Sequence, residues 1–188
     1  MIVRWNIHCN ITEVIIYGSD NRKEITMLIT DRCYLQKIQA EDKKDIIKLY
    51  TNSETRMYLG GALSIQEAAE KFDDLIKNHQ IINNEAIYTV KLKNEKFIGL
   101  IYLSPYYDIN FYEISYEFLP EYWGHGYAYE VMQEILNTCR MKFGLKKIYA
   151  ETQTKNLRSR KLLEKLGYKK ENELIRFNED QTVYSINL

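Results

Sequence analysis

One short segment of this sequence constrains the fold more than any other. Residues 112–119 alternate polar and apolar side chains, as a β-strand does, and Pro120 ends the run because proline cannot donate to a sheet. Gly124 and Gly126 follow, and a helical pattern begins at Ala128. Two glycines let the backbone turn tightly with its amides facing one concavity, and the start of a helix adds positive partial charge. The segment therefore predicts an anion-binding loop between a strand and a helix.

A glycine pair before a helix is equally typical of an ordinary turn, so the kind of ligand has to be inferred from the context. The loop is neither a G-x-G-x-x-G turn after a first parallel strand nor a phosphate-binding loop that ends in GK[ST]. Binding of a dinucleotide or of a nucleoside triphosphate therefore has no direct support.

The other patterns predict a mixed α+β domain. Residues 27–38 have the pattern of one strand, and Ala40 opens a helix that runs to about Asn52. Ser64 and Glu67 are spaced as the capping box of a second helix. The remaining segments predict three strands, a helix, a strand, a helix and two strands, at residues 86–92, 97–106, 112–119, 128–143, 148–152, 157–166 and from 168 onward.

The first 26 residues differ from the rest. Two short β-like runs, at residues 2–8 and 13–17, precede a polar turn. They predict an arm or hairpin in residues 1–26, appended to a domain of residues 27–188. A new pattern begins at Met27, which is also a candidate for the natural first residue.

Charge and cysteine content exclude several classes of function. Basic and acidic residues number 26 each, so no net field draws the chain to nucleic acid or to an anionic membrane. Cys9, Cys33 and Cys139 are too widely spaced for a zinc site or a disulfide scaffold, and no metal is predicted. The chain has no run of about 18 apolar residues and no signal-peptide core. We therefore expect a cytoplasmic protein without nucleic-acid or membrane partners.

Three motifs resemble one enzyme superfamily. The segment LPEYWGHGYAYEVM is similar to the R/Q-x-x-G-x-G/A signature of GNAT N-acetyltransferases. The segment NLRSRKLLEKLGY resembles N-x-x-S-x-x-x-L-E-K-x-G-[FY], found in the branch of ribosomal-protein N-terminal acetyltransferases and their antibiotic- and polyamine-modifying relatives. The segment MLITDRCYLQKIQAEDKKDI resembles the T-x-R-L-x-L-R start of that branch. Together the matches cover about residues 27–188.

The resemblance implies a fold and a cosubstrate. The GNAT fold has a central, mostly antiparallel, twisted sheet of about six or seven strands, splayed in the middle and flanked by about four helices. Acetyl-CoA, without a metal, would lie between the strands at residues 112–119 and 148–152. The implied binding residues are Phe118 and Leu119 for the thioester arm, Asn156 and Ser159 beside the pantetheine, and, for the diphosphate, the amides of Gly124, His125, Gly126, Tyr127 and Ala128.

The implied reaction is transfer of an acetyl group to a primary amine by direct attack in a ternary complex. The acceptor would be a polyamine, an aminoglycoside, another small amine or a protein N-terminus. An alkyl amine has a pKa of about 10 and must first lose a proton. Glu151 matches the catalytic glutamate of the ribosomal alanine acetyltransferases, although a solvated strand carboxylate is the alternative. Glu117 is the second candidate for the base, with Glu113 on the same face. Ser159 matches a serine proposed to reprotonate the thiolate, and a helix-start hydroxyl that bonds backbone amides is its alternative.

Two positions depart from the family pattern. Glu121 replaces the usual Arg or Gln, so the backbone has to bind the anion. Leu163 replaces the tyrosine with which many members protonate the leaving thiolate. Two other readings therefore stay open: a catalytically inactive CoA-binding or interaction module on the same fold, and an unrelated α/β domain. We expect the acceptor to bind near Tyr58, Leu59, Tyr106 and Tyr107. A homodimer that pairs the final strands of two subunits stays open as an alternative to a monomer.

Overall fold

The computed structural model describes residues 14–17, 23–79, 86–107 and 111–188. Nine described strands form one sheet: β1 Val14–Tyr17, β2 Lys23–Ile29, β3 Cys33–Lys37, β4 Ala86–Leu92, β5 Phe97–Pro105, β6 Tyr112–Phe118, β7 Lys147–Gln153, β8 Lys169–Arg176 and β9 Glu179–Asn187. Their order in the sheet is β1-β2-β3-β4-β5-β6-β7-β9-β8. Neighbouring strands are antiparallel except β6 and β7, which are parallel. The mixed α+β class and the mostly antiparallel sheet are confirmed.

The described residues form five α-helices: α1 Lys43–Tyr50, α2 Ser53–Arg56, α3 Ile65–His79, α4 Tyr127–Phe143 and α5 Leu157–Lys165. The capping box predicted for α3 is present, since Ser64 N donates to Glu67 Oε2 at 2.8 Å and Glu67 N to Ser64 Oγ at 3.2 Å. Gly144, which ends α4 as predicted, has a φ of 65°. The helix predicted from Ala40 to Asn52 is instead a 3₁₀ turn followed by α1, and the short α2 was not predicted.

The single strand predicted at residues 27–38 is wrong, because the chain turns back between β2 and β3. Thr30 makes the turn: its amide donates to the Cys33 carbonyl at 2.9 Å, and the amide of Cys33 donates to Thr30 Oγ1 at 3.1 Å. The two halves then pair as antiparallel strands. β2 also runs through Met27, where the sequence suggested that a domain begins. The β-like run at residues 2–8 lies outside the described residues.

The sheet separates two apolar cores. α4 and α5 cover one face, where Val131, Ile135 and Leu163 pack on the strands. α1 and α3 cover the other, where Leu49 and Phe72 pack against the sheet. No helix in the described part of the chain is long and apolar enough to cross a membrane. Each side chain of a central strand therefore faces one helical layer or the other.

Candidate functional site

The sheet opens between β6 and β7. These strands pair only at their first residues, Tyr112 with Ile148 and Glu113 with Tyr149, and then separate. β6 stays paired with β5, and β7 with β9, along their whole lengths. The inner edges of β6 and β7 therefore border a wedge-shaped gap, at the two segments expected to hold the cosubstrate. One face of the gap is the side of α4 and α5, and the other is the side of α1 and α3.

The loop predicted to bind an anion lies where β6 ends. A 3₁₀ turn at Pro120–Tyr122 leads into it, and the Trp123 indole Nε1 donates to the Phe118 carbonyl at 2.7 Å. Gly124 and Gly126 have φ values of 77° and 82°, which residues with a side chain seldom adopt, and α4 starts at the next residue. Thus the glycines are needed for the shape of the loop.

The loop leaves a run of backbone donors open. Within the described residues, six consecutive amides have no hydrogen-bond acceptor, those of Gly124, His125, Gly126, Tyr127, Ala128 and Tyr129, and the first five are the predicted ones. Gly124, His125 and Gly126 are exposed. Amides at the start of a long helix attract anions, because the helix dipole adds to their own partial charge. Such a site suits a phosphate group without any basic side chain in the loop.

A brace from the turn between β2 and β3 holds the loop in place. Arg32 Nε donates to Glu130 Oε2 at 2.7 Å, and its Nη1 donates to the His125 carbonyl at 3.0 Å. Thr30 Oγ1 and the Arg32 amide donate to the other oxygen of Glu130. Burial would raise the pKa of Glu130, but these bonds lower it below its usual value. The Arg32 guanidinium also lies 4.5 Å from the centre of the Tyr127 ring.

The sequence did not single out the members of this brace. Thr30 and Arg32 stand in the T-x-R motif, far from the loop along the chain, and Glu130 falls within the helical pattern after it. The motif was a signal, but only the fold shows that it acts on the loop.

The two amides expected for the thioester arm differ in orientation. Leu119 N donates to the Ile98 carbonyl at 3.0 Å, so it belongs to the ladder with β5. Alternate residues of an antiparallel strand point their amides to opposite sides, and Gly99 pairs with Phe118. The Phe118 amide therefore points away from β5 and into the gap, whereas that of Leu119 does not.

Two carboxylates lie on opposite walls at the narrow end of the gap, on the α1 and α3 side. Burial and the charge of Glu151 raise the pKa of Glu113 to about 7, against the lowering effect of Arg176. Burial also raises the pKa of Glu151, although the guanidinium of Arg176 bonds it directly. Glu151 therefore has a cation as its partner, and Glu113 titrates near neutral pH.

Aromatic rings surround this carboxylate pair. Tyr106 stacks on Tyr149 with centroids 4.3 Å apart, and Tyr107 meets Tyr106 edge on at 5.1 Å. Arg176 lies 4.1 Å from the centre of the Tyr107 ring. Tyr107 is exposed, whereas Tyr106 is partly buried. Tyr106 and Tyr107 thus lie beside the carboxylates, and the acceptor site expected near them stays a prediction.

Glu117 has a different environment from Glu113, although both lie on the same face of β6. Its side chain is 8% exposed and accepts from Arg56 Nη1 at 3.3 Å and from the Tyr102 hydroxyl at 3.4 Å. Burial raises its pKa, against the opposing effect of Arg56. Arg56 also donates to the carbonyls of Leu59 and Gly61. The pair therefore fixes the loop after α2, where Tyr58 and Leu59 were expected to contact an acceptor.

On the α4 and α5 side, hydroxyls line the gap. Asn156 caps α5, its side chain accepting from Ser159 N at 3.2 Å. Ser159 Oγ lies 2.8 Å from the Tyr116 hydroxyl of β6. Leu163, at the position where many family members have a tyrosine, is buried in the core. The Ser159 hydroxyl therefore does not bond backbone amides at the helix start, since the cap is made by the Asn156 side chain, and its role toward the thiolate stays a prediction.

His125 and the basic residues of α5 are held by local contacts. His125 Nδ1 lies 2.8 Å from the Trp123 carbonyl. The Arg158 guanidinium lies 4.7 Å from the centre of a Trp123 ring, and Arg160 donates to the Tyr184 hydroxyl and the Thr154 carbonyl. Among the described residues, no group of three His, Cys, Asp or Glu side chains is placed to bind a metal ion.

Comparisons with known proteins agree with this geometry. Residues 32–169 match the family model described as an acetyltransferase (GNAT) domain. The uncharacterized N-acetyltransferase YoaA of Bacillus subtilis is 30% identical over 171 residues, covering 85% of this chain and 96% of that protein. The uncharacterized N-acetyltransferase YnaD of the same organism is 27% identical over 145 residues, covering 77% of this chain and 83% of that protein.

Solved structures share the fold. An acetyltransferase of the GNAT family from Bacillus anthracis has a TM-score of 0.74 at 24% identity, covering 86% of this chain and 98% of its own. Spermidine N-acetyltransferase from Vibrio cholerae in complex with CoA and spermine has a TM-score of 0.71 at 22% identity, covering 82% and 95%. Ribosomal-protein-S5-alanine acetyltransferase from Vibrio fischeri has a TM-score of 0.70 at 19% identity, covering 86% of this chain and 96% of its own. At these identities the likeness is one of fold, and the ribosomal-protein branch stays a prediction.

Proposed function

The chain belongs to the GNAT acetyltransferase family and is an acyltransferase, and from that membership we propose that it transfers the acetyl group of acetyl-CoA to a small primary amine by direct attack in a ternary complex. The open amides of the loop, facing a gap between two strands, carry the proposal. They offer the diphosphate of CoA a binding site at the wide end of the gap.

We propose that each part of the gap binds one part of the cosubstrate. The amides from Gly124 to Ala128 bind the diphosphate, and the Phe118 amide and the Asn156 side chain hydrogen-bond the pantetheine arm. Acetyl-CoA supplies an activated acyl group on a thiol leaving group. Its thioester then lies toward the narrow end, where Glu113 and Glu151 meet.

Glu113 is the proton acceptor in this proposal. An alkyl ammonium ion has a pKa near about 10 and must lose a proton before its nitrogen can attack. A base with a pKa near the working pH is the most effective, and the pKa of Glu113 is about 7. Glu117 is a poorer base, because it is buried in an ion pair with Arg56. Glu151 is bonded to Arg176, so its part is to set the charge around Glu113.

The rings beside Glu113 support a small cationic acceptor. Tyr106, Tyr107 and Tyr149 present aromatic surface that attracts a cation, next to carboxylates whose total charge Arg176 only partly offsets. The Vibrio cholerae neighbour was solved with spermine. A polyamine combines a reactive primary amine with further positive charges, so we favour it over a peptide N-terminus.

An acetyl-transfer screen tests the proposal. Spermidine, an aminoglycoside and a peptide with a free N-terminus are offered with acetyl-CoA, and release of the CoA thiol is followed. We expect transfer to the polyamine, and a fall of about 100-fold in kcat/KM for Glu113→Gln. Glu173→Gln, a matched change at an exposed carboxylate of β8, should act like the wild type.

Two outcomes would contradict the proposal. Tight binding of acetyl-CoA without transfer to any amine would indicate a binding module instead of an enzyme. Absence of CoA binding, measured by calorimetry, would show that the open amides bind something else.

A further inference from the structure

The gap between β6 and β7 has different chemistry on its two faces. Successive residues of a strand point to opposite faces, so Glu113 and Tyr116 lie on opposite sides of the sheet. Glu113 is on the side of α1 and α3 with the other carboxylate, Glu151. Tyr116 is on the side of α4 and α5, where it contacts Ser159. An amine that approaches one face thus leaves the other free for the departing sulfur.

Position along β6 also places Tyr116 beside the thioester. Phe118 lies at the wide end of the gap next to the diphosphate loop, and Glu113 lies at the narrow end. In the proposed function the thioester arm runs from the first toward the second. Tyr116 lies between them on the same strand, and Ser159 faces it from the first turn of α5.

Two other polar groups described on this face already have protein partners. The Trp123 indole donates to the Phe118 carbonyl, and the Tyr184 hydroxyl donates to Glu164 and accepts from Arg160. The Tyr116 hydroxyl is bonded to Ser159 Oγ at 2.8 Å. When Ser159 donates this bond, the phenolic proton of Tyr116 has only a long contact of 3.5 Å, to the Ser159 carbonyl, among the described residues, so a closer acceptor can take it. A chain of two hydroxyls makes it a stronger donor.

Extending the proposed acetyl transfer, we propose that Tyr116 is a catalytic residue, whose hydroxyl, oriented by Ser159, donates a hydrogen bond to the thioester sulfur as the carbon–sulfur bond breaks. The ammonium ion first loses one proton through Glu113 to water. The neutral amine nitrogen then forms a bond with the carbonyl carbon, and a second proton passes from nitrogen to Glu113. The electron pair of the carbon–sulfur bond moves to sulfur, which leaves as a thiolate. The thiolate then takes a proton from water, and Glu113 returns its proton to water.

The acidity of the phenol fits a donor that keeps its proton. Burial raises the pKa of Tyr116 to about 12, although the bond with Ser159 acts in the opposite direction. A thiol has a pKa of about 8.5, so the thiolate does not remove the phenolic proton at equilibrium. Tyr116 therefore stabilises the charge on sulfur through a hydrogen bond, in the manner of an oxyanion-hole donor.

A pair of Tyr→Phe variants tests this role. Tyr116→Phe should lower kcat by about 100-fold, the usual effect of losing one such donor, while the Kd of acetyl-CoA changes less than about twofold. Tyr168→Phe is the matched control, because its buried hydroxyl has no hydrogen-bond partner among the described residues of the same core. It should keep the wild-type kcat. Ser159→Ala should lower kcat by about tenfold, since Tyr116 is retained.

A second measurement needs no acceptor amine. The ultraviolet absorbance of the thiolate gives the pKa of the CoA thiol in its complex with the protein. Loss of the hydrogen bond in Tyr116→Phe should raise this pKa relative to the wild type and to Tyr168→Phe. A structural role alone would not move it.

The outcomes separate the two proposals. If the wild type transfers acetyl groups and Tyr116→Phe matches Tyr168→Phe in kcat and in thiol pKa, the assignment of Tyr116 is wrong and the proposed function stands. A parallel loss of CoA affinity and kcat in Tyr116→Phe would likewise overturn the assignment. If the wild type binds no CoA, the proposed function fails, and this assignment fails with it.

Discussion

Replacing Glu113 by glutamine should make the protein less active and, at alkaline pH, more stable. The pKa of Glu113 is about 7 in the fold and 4.5 for an ordinary glutamate. The folded state thus binds this proton more tightly than the unfolded state. The contribution of Glu113 to stability is complete below about pH 4.5 and is lost as the pH rises through about 7. Glutamine resembles the protonated form at every pH.

The size of the effect follows from that difference in pKa. About 2.5 units correspond to about 3 kcal/mol. The gain in unfolding free energy of Glu113→Gln over the wild type should be near zero at pH 4 and approach about 3 kcal/mol at pH 8. For a chain of this length that is about 6 to 12 °C in Tm.

Urea unfolding of both proteins between pH 4 and pH 9, without CoA, measures this difference. Glu173→Gln is the control, because the exposed Glu173 is paired with Lys170, which lowers its pKa, and should show no gain at high pH. In parallel, kcat/KM of the wild type should rise as the pH increases through about 7. The pH profile of Glu113→Gln should lack this rise. A difference in stability that does not change with pH would refute the raised pKa, and with it the reason for choosing Glu113 as the base.

Two further predictions concern the loop and the buried ion pair. Gly126→Ala should cost about 1–2 kcal/mol, because a φ of 82° is strained for alanine, and should also weaken CoA binding in calorimetry. Gly144→Ala, with a φ of 65° at the other end of α4, should cost a similar amount while leaving the CoA Kd unchanged, and equal Kd values for both variants would contradict the loop assignment. Arg56→Met removes the bonded partner of the buried Glu117, leaving only the more distant charge of Lys71, and should lower the unfolding free energy by about 3–5 kcal/mol. Lys48→Met, which breaks the exposed bridge with Glu121, should change it by less than about 1 kcal/mol, and similar losses in a urea titration would refute the burial argument.

Features set by local chemistry could be predicted from the sequence. The capping box of Ser64 and Glu67 needs only residues three apart, and the glycine loop needs only a strand end and a helix start. The break between β2 and β3 was missed because no glycine or proline marks it. A threonine side chain makes that turn, within a run that otherwise has the pattern of one strand.

The charge environments at the site could not be predicted, because they depend on contacts across the sheet. Glu113 and Glu117 lie four residues apart on the same face of one strand, and nothing in the local sequence distinguishes them. Arg56 comes from α2, which was not predicted, and Arg176 comes from the last hairpin. Arg56 makes Glu117 part of a buried ion pair, and Arg176 helps to set the pKa of Glu113.

The bond between Arg32 and Glu130 joins residues 98 positions apart. The loop that we propose to bind the diphosphate is therefore local in sequence, but its shape also depends on a distant residue. A peptide cut from β6 to α4 would hold every amide of the loop and lack the guanidinium that donates to the His125 carbonyl. During folding, the Arg32 bonds can form only after the first strands of the domain have docked onto α4, so we expect CoA affinity to appear late and to report on completed assembly of the chain.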